Sequence, residues 1–276
     1  MSYQIEILPP SPIFQPYIEY YKNVVTDASG SFKCVPNTSE ELYFNFKKCT
    51  LHSNNHYTLQ DPKVYFTGLH HYDQDAFAKL GNDISGGFGI VFRPNGMQNL
   101  FGLSNSELFG YAFEGENIFR NHTEELWHTL KKTDDIESKK ARVESFLLSY
   151  VKLGRSPSTL LKNILDRIKK EHGILSAGEI SEQFNISTRS LERKFSDQIG
   201  MSPKEFLQIT RLNYALGLIR KQQHFSLTRI SYLSGYYDQS HFIRDVEKIC
   251  GFSPGMLKKD IQPLEHCDNR NFLRLS

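Results

Sequence analysis

Cysteine is scarce and unpatterned in this 276-residue chain: Cys34, Cys49, Cys250 and Cys267 are scattered, with no Cys-x-x-Cys. They read as reduced thiols of a cytoplasmic protein rather than a disulfide framework. Long apolar runs are missing too; none approaches the roughly 18 residues that a membrane span needs. The start, Met1-Ser2-Tyr3-Gln4-Ile5-Glu6, has neither a basic n-region nor an apolar h-region, so no secretory signal is expected. A phosphate-binding loop and a glycine-rich dinucleotide turn are both absent. The balance of charge is nearly even, at +2, but it is unevenly placed. Residues 155–276 carry 19 Lys/Arg against 13 Asp/Glu, while residues 1–154 carry 14 against 18. A basic C-terminal part joined to an acidic N-terminal part suits a nucleic-acid-binding module attached to something else.

What is present is a weak internal repeat between Ile180 and Pro254. Ile180-Ser181, Phe184-Asn185-Ile186, Leu191, Phe195, Ile199, Gly200, Ser202 and Pro203 form one copy. Ile230-Ser231, Ser234-Gly235-Tyr236, Phe242, Val246, Cys250, Gly251, Ser253 and Pro254 form the other. The offset is 50 at Ile180/Ile230 and 51 from Leu191/Phe242 onward. The extra residue falls in the turn, where an insertion between packed helices is tolerated.

Each copy reads helix, short turn, helix. Ser176-x-x-Glu179 is a capping box and Ser187 caps the following helix. Leu191, Phe195 and Ile199, four apart, make its apolar face, and Gly200 ends it. In the second copy Asp238 is the cap, Phe242, Val246 and Cys250 the apolar face, and Gly251 the stop. Between the copies, Ser202-Pro203-Lys204-Glu205 opens a helix running to about Lys221, roughly 28 Å long at 1.5 Å per residue. That length suits a spacer between recognition helices one DNA turn apart.

The first part of the chain alternates rather than spirals. Short aromatic or β-branched runs such as Glu41-Leu42-Tyr43-Phe44-Asn45-Phe46, Lys63-Val64-Tyr65-Phe66 and Phe88-Gly89-Ile90-Val91-Phe92-Arg93 are bounded by turn residues. They predict a small barrel or sandwich. From Pro94 the pattern becomes helical, with a capping box at Ser104-x-x-Glu107. A long amphipathic helix within 136–153 presents Val143, Phe146, Leu147, Tyr150 and Val151 on one face. That face packs either on its own barrel or against a second protomer. The tail after Pro263 is polar and expected to be loose.

Residues 158–260 resemble the double helix-turn-helix domain of the AraC/XylS transcription regulators. The resemblance lies in Ile230-Ser231, Gly235-Tyr236, Asp238, Ser240, Phe242, Arg244, Lys248 and Gly251-x-Ser253-Pro254. It continues in Arg211-x-x-x-Ala215-x-x-Leu218-Ile219 on the connecting helix. It implies an α+β chain: an N-terminal cupin-like small β-barrel with flanking helices, and a C-terminal all-α domain whose two helix-turn-helix motifs are joined by a long helix. The expected layout is a β-rich sensor domain at 1–133, an amphipathic helix and linker at 134–157, the DNA-binding domain at 158–262 and a tail at 263–276. The motifs fall at about 176–199 and 227–250. The implied partners are double-stranded DNA, RNA polymerase, a small-molecule effector and a second copy of the chain, with no membrane.

In the first recognition helix the apolar face leaves Arg189, Glu192 and Arg193 on the other side, with Lys194 at its edge. The family's base-reading positions fall on the first three. Arginine can fork onto guanine O6 and N7, and glutamate can accept from cytosine N4. In the second helix the corresponding residues are Gln239, Ser240, His241 and Arg244. Gln239 can pair with adenine, whereas Arg244 and Lys248 suit phosphates, which set register and not sequence. For each of these residues the alternative is an ordinary solvated face.

Other constellations have a chemical and a bland reading. His70-His71-Tyr72-Asp73, with His52 and His56, invites a metal. Neighbouring strand residues point to opposite faces, and the His-x-His and downstream Glu pattern of metal-binding cupins is absent, so no metal or other cofactor is expected. Tyr43, Phe44, Phe46, Tyr65, Phe66, Phe88 and Phe92 either line a ligand cavity or form barrel core. Arg93 either orients an anionic ligand or makes a structural salt bridge. The expected function is non-enzymatic, sequence-specific DNA binding in transcription regulation. A cupin-like metal enzyme and an architectural DNA-binding protein carrying the same domain are the alternatives.

Overall fold

The computed structural model describes residues 3–27, 29–34, 37–53, 57–67, 77–80, 85–103, 112–114, 122–151, 158–222, 224–256 and 272–274. The chain is α+β. Its N-terminal part folds into strands β1 (Tyr3–Leu8), β2 (Ile18–Thr26), β3 (Gly30–Cys34), β4 (Glu40–Asn45), β5 (Cys49–Ser53), β6 (Tyr57–Gln60), β7 (Val64–Thr67), β8 (Phe77–Leu80), β9 (Ser85–Phe92) and β10 (Ala112–Glu114). A last strand, β11 (Phe272–Arg274), comes from the end of the chain. One sheet has the order β1-β2-β9-β4-β7-β10 and the other β11-β3-β8-β5-β6, antiparallel throughout. Between β2 and β9 the chain changes sheet at almost every step, which is how a small cupin-like barrel closes without long exposed edges.

Period-two alternation decides which side chains fill it. Phe44 pairs with Phe88 and Leu42 with Ile90, and all four point into one core with Phe66 and Phe92. Tyr43 lies on the opposite face of β4, its ring 5.3 Å from that of Tyr65. Phe44, Phe66, Phe88 and Phe92 are therefore barrel core and not the wall of a cavity.

Helix α1 (Gly96–Phe101) follows β9, and α2 (His122–Lys131) and α3 (Ile136–Val151) close the barrel. Trp127 Nε1 on α2 donates to Asn45 O at 2.6 Å. Val143 and Leu147 of α3 are buried, and Phe146, Tyr150 and Val151 pack on the same core. The apolar face of this helix is thus spent on its own barrel. Lys139 Nζ donates to Asn23 Oδ1 at 2.7 Å and Glu144 accepts from Ser11 N and Oγ, which fixes the helix on the β-domain. Glu40, at the start of β4, accepts from Met97 N at 3.1 Å; burial pushes its carboxyl up to about 8.

The C-terminal part is helical: α4 (Thr159–Lys170), α5 (Ala177–Gln183), α6 (Thr188–Gln198), α7 (Pro203–Lys221), α8 (Leu227–Leu233) and α9 (Gln239–Cys250). A further helical turn begins at 254–256. There are two cores. Leu161, Ile164, Ile168, Ile180, Leu191 and Phe195 share one with Phe206, Leu207 and Ile209. Ile230, Tyr236, Phe242, Val246 and Cys250 share the other with Leu212, Ala215, Leu216 and Ile219. The N-terminal half of α7 thus completes the first core and its C-terminal half the second.

One expectation changes. The tail is described only at 272–274, where it is ordered as β11, with Phe272 opposite Cys34 on β3. A strand edge on β3 offers unpaired amides and carbonyls, and an extended segment of any polarity can take them. Helix α6 ends at Gln198 with Ile199 as C-cap and Gly200, at φ 84°, as the stop just beyond it. The Ser104 capping box, His56, His70 and His71 lie outside the described residues, and of His52 only the backbone, in β5, is described.

Candidate nucleic-acid interface

The two copies of the repeat close their turns with the same hydrogen bonds. Asn185 N donates to Glu182 O and Ile186 N to Ser181 O; Gly235 N donates to Tyr232 O and Tyr236 N to Ser231 O. Each turn needs one residue in the left-handed region, and the chain supplies the two residue types that tolerate it: Asn185 at φ 50° and Gly235 at φ 71°. The register also locates the insertion. Ile186 and Tyr236 occupy equivalent places, and Ser187 and Asp238 are both N-caps, so Tyr237 is the added residue. It is 87% exposed.

In the first module Ser176 and Glu179 form a reciprocal capping box on α5, and Ser187 Oγ accepts from Ser190 N at the start of α6. Leu191 and Phe195 are fully buried. Arg189, Glu192 and Arg193 are exposed on the other side of α6, and Lys194 is half-buried at the edge. All four stand as the apolar stripe required.

The second module has the same core and a different surface. Asp238 caps α9 by accepting from His241 N at 2.7 Å. Ser240, Arg244 and Lys248 are exposed; Gln239 and His241 are half-buried. Arg244 Nε turns back to Ser240 O at 3.3 Å. Gln239 is held from the neighbouring helix: Thr228 Oγ1, on the first turn of α8, donates to its Oε1 at 2.6 Å.

A polar cluster under α9 had no counterpart in the sequence reading. Arg211, on α7, lies 3.4 Å from the carboxylate of Asp245 and 4.3 Å from the centre of the Tyr236 ring. His241 Nε2 is 3.8 Å from the same carboxylate, and its ring packs edge-on to Tyr236. Burial drives the Tyr236 hydroxyl well above its ordinary range, with Arg211 opposing the shift and Asp245 adding to it. The structure therefore draws His241 toward this cluster, whereas Ser240 and Arg244 face outward. Asp245 stands where Lys194 stands in the first copy. That substitution was the available signal: an acid replacing a base inside a repeat, on a helix face otherwise rich in cations.

His172, after α4, stacks on Tyr214 of α7, with ring centres 3.9 Å apart and planes within 3°. A contact that bypasses α7 also sets the modules against each other: Ile174, in the loop between α4 and α5, presses on Gly235 in the turn of the second module.

A cavity of about 530 Å³ lies between the β-domain and helices α4 and α7, with Tyr20, Asn95, His172 and Tyr214 in its wall. Ion pairs cross it. Arg93 is 3.6 Å from Asp166, which also takes Lys162 at 3.0 Å, and Lys169 pairs with Glu19. Arg93 Nε donates to Gln15 O. Of the two readings of Arg93, the structure shows the salt bridge. Gln98 Nε2 on α1 donates to Asp197 O near the end of α6. Among the described residues no group of three or more His, Cys, Asp or Glu could hold a metal ion, and no helix is long and apolar enough to cross a membrane.

Residues 180–260 match a family described as a helix-turn-helix domain. The transcriptional activator RhaS of Salmonella arizonae is 35% identical over 75 residues, which is 27% of this chain and 27% of that protein. RhaS of Salmonella newport matches to the same extent. The chain thus aligns with about a quarter of the length of these curated relatives. Over nearly its whole length it shares a fold with ToxT from Vibrio cholerae O395, in a structure bound to (E)-4-(8-methylnaphthalen-1-yl)but-3-enoic acid. The TM-score is 0.50 and the identity 12%, covering 94% of this chain and 99% of that one.

Proposed function

We propose, from the premise that residues 180–260 form a helix-turn-helix domain of the AraC family of transcription regulators, that this chain reads double-stranded DNA with two unlike faces carried on one helix. In this reading α6 and α9 enter successive major grooves. Arg189, Glu192 and Arg193 contact base edges from α6, with Lys194 beside them. Gln239 and Ser240 contact bases from α9, His241 contributing less because it is drawn to Asp245. Arg244 and Lys248 hold phosphates and set the register.

The observation that carries the reading is that α7 belongs to both cores. Two helix-turn-helix modules built on one helix move as a unit, so their recognition helices keep a fixed spacing. The reading faces differ at nearly every exposed position, so each protomer takes a non-palindromic site. Footprinting of the full chain on selected DNA tests this. Two protected patches about ten base pairs apart on one face of the duplex are expected. A single patch, or protection without sequence preference, overturns it and favours an architectural role.

The β-domain supplies the response. A small-molecule effector occupies the cavity against α4 and α7, whose size falls within the range of ligand pockets. Its walls belong to both domains, so occupancy changes how the β-domain bears on the DNA-binding part. Output follows from contacts with RNA polymerase in the cytoplasm. Association of two copies would use a surface other than the apolar face of α3, which its own barrel covers.

A further inference from the structure

We propose that Thr228 is a specificity-setting residue: it fixes the amide of Gln239 so that α9 offers a hydrogen-bond donor, rather than an adenine-type donor–acceptor pair, to the base it meets. The proposal rests on α9 being a base-reading helix.

A glutamine reads adenine by accepting from N6 with its carbonyl oxygen and donating to N7 with its NH₂. A free side chain can turn its amide either way to suit the base. Gln239 is not free. Its Oε1 accepts from Thr228 Oγ1 at 2.6 Å, a bond that joins the two helices of the module. Both ends are anchored. Thr228 lies on the first turn of α8, whose start is capped by Ser226, and its own carbonyl accepts from Ser231 Oγ at 2.7 Å. As a β-branched residue it has few χ1 choices. Gln239 is the first residue of α9, directly after the Asp238 cap. Backbone and side-chain end are therefore both held: with Thr228 on one lone pair of Oε1, that oxygen is turned toward α8 and the NH₂ is the group turned outward.

That group is a donor, and it is satisfied by an acceptor edge. Guanine offers O6 and N7 there, and thymine offers O4; cytosine presents an N4 donor and adenine an N6 donor beside its N7. The second module is thus set toward guanine or thymine at one position. The repeat supplies the control. The residue equivalent to Thr228 in the first copy is Gly178, and the residue equivalent to Gln239 is Thr188. A Cβ at Gly178 would meet nothing nearer than Ser176 Oγ at 3.7 Å, so the first module has no side chain where the buttress stands. The arginines of α6 read without this buttress; the glutamine of α9 reads with it.

The test is selection of binding sites from a randomised DNA pool by the full chain, comparing wild type with Thr228→Val, Thr228→Ser, Gln239→Ala and Thr228→Val/Gln239→Ala. Thermal melting checks that each variant folds. In wild type one position should favour guanine or thymine, and Gln239→Ala should flatten that position. Thr228→Val should move the same position toward adenine by about five-fold, the worth of one hydrogen bond, leaving the others unchanged. Thr228→Ser should restore the wild-type preference, and Thr228→Val should add nothing once Gln239 is gone. If Gln239→Ala flattens a position that Thr228→Val leaves alone, the buttress is overturned and the base-reading role of Gln239 stands. If Gln239→Ala flattens no position, both fall.

Discussion

Ile174 and Gly235 approach so closely that a Cβ on Gly235 would stand 2.5 Å from Ile174 Cγ2. Ile174 belongs to the loop before the first helix-turn-helix and Gly235 to the turn of the second. The same glycine carries φ 71° and donates its amide to Tyr232 O. One position thus serves two needs: a left-handed turn and a seat for the other module.

Replacing Gly235 with alanine separates those needs. Left-handed strain costs about 1–2 kcal/mol, and the clash with Ile174 adds about 1–3 kcal/mol. Urea unfolding of Gly235→Ala should show the sum. In Gly235→Ala/Ile174→Ala the clash is relieved, so the double variant should be less damaged than the two single effects added together.

Arg193 is exposed on α6 and packs into neither core. Arg193→Ala should weaken binding to the selected operator by about 1–3 kcal/mol and relax specificity at one position of its half-site. The melting temperature should stay within a degree or two of wild type, since the change removes no buried contact. Titration of a labelled operator at fixed salt measures the first effect, and calorimetry the second.

Arg211 is the cation for a nearly buried carboxylate. Removing it in Arg211→Ala leaves Asp245 under-compensated and strips the Tyr236 ring of the cation over its face. The expected cost is about 3 kcal/mol of stability, confined to the second core. Asp245→Asn should cost less, because the amide keeps a hydrogen-bond acceptor and carries no charge to strand. Hydrogen exchange should show α8 and α9 loosened in Arg211→Ala and α5 and α6 unchanged.

Glu40 gives the β-domain a pH dependence of known sign. Burial holds its carboxyl neutral up to about 8 in the folded chain, whereas its ordinary value is 4.5. Between those values the folded state binds the extra proton. The contribution to stability is therefore complete below about pH 4.5 and is lost as pH rises toward 8. Glu40→Gln keeps an acceptor for Met97 N and removes the titration. Wild type should lose stability relative to Glu40→Gln across that window, by at most about 1.4 kcal/mol per pH unit. Denaturant melts at several pH values read it directly; parallel curves overturn it.

The helical half was largely legible because its determinants are local. Ser176, Ser187, Ser202 and Asp238 each cap the helix expected of them. Leu191 with Phe195, and Phe242 with Val246 and Cys250, are buried as their spacing required. The exposed faces of α6 and α9 follow from those same stripes. In the β-half, alternation named the core residues but could not say which strands pair. β9 lies between β2 and β4, and β11 joins β3 from the far end of the chain, pairings that depend on contacts no local pattern encodes.

The sequence by itself determined the repeat, the caps, the two apolar stripes and hence the set of side chains that α6 and α9 turn outward. Periodicity and capping act within a few residues, so they are written locally. Only the tertiary structure decided that Ile174 seats against Gly235, that Arg211 reaches Asp245 and that Thr228 holds Gln239. Each of these joins residues on different elements, and hydrogen bonds and ion pairs have short reach: which polar atoms meet is settled only once the cores have packed.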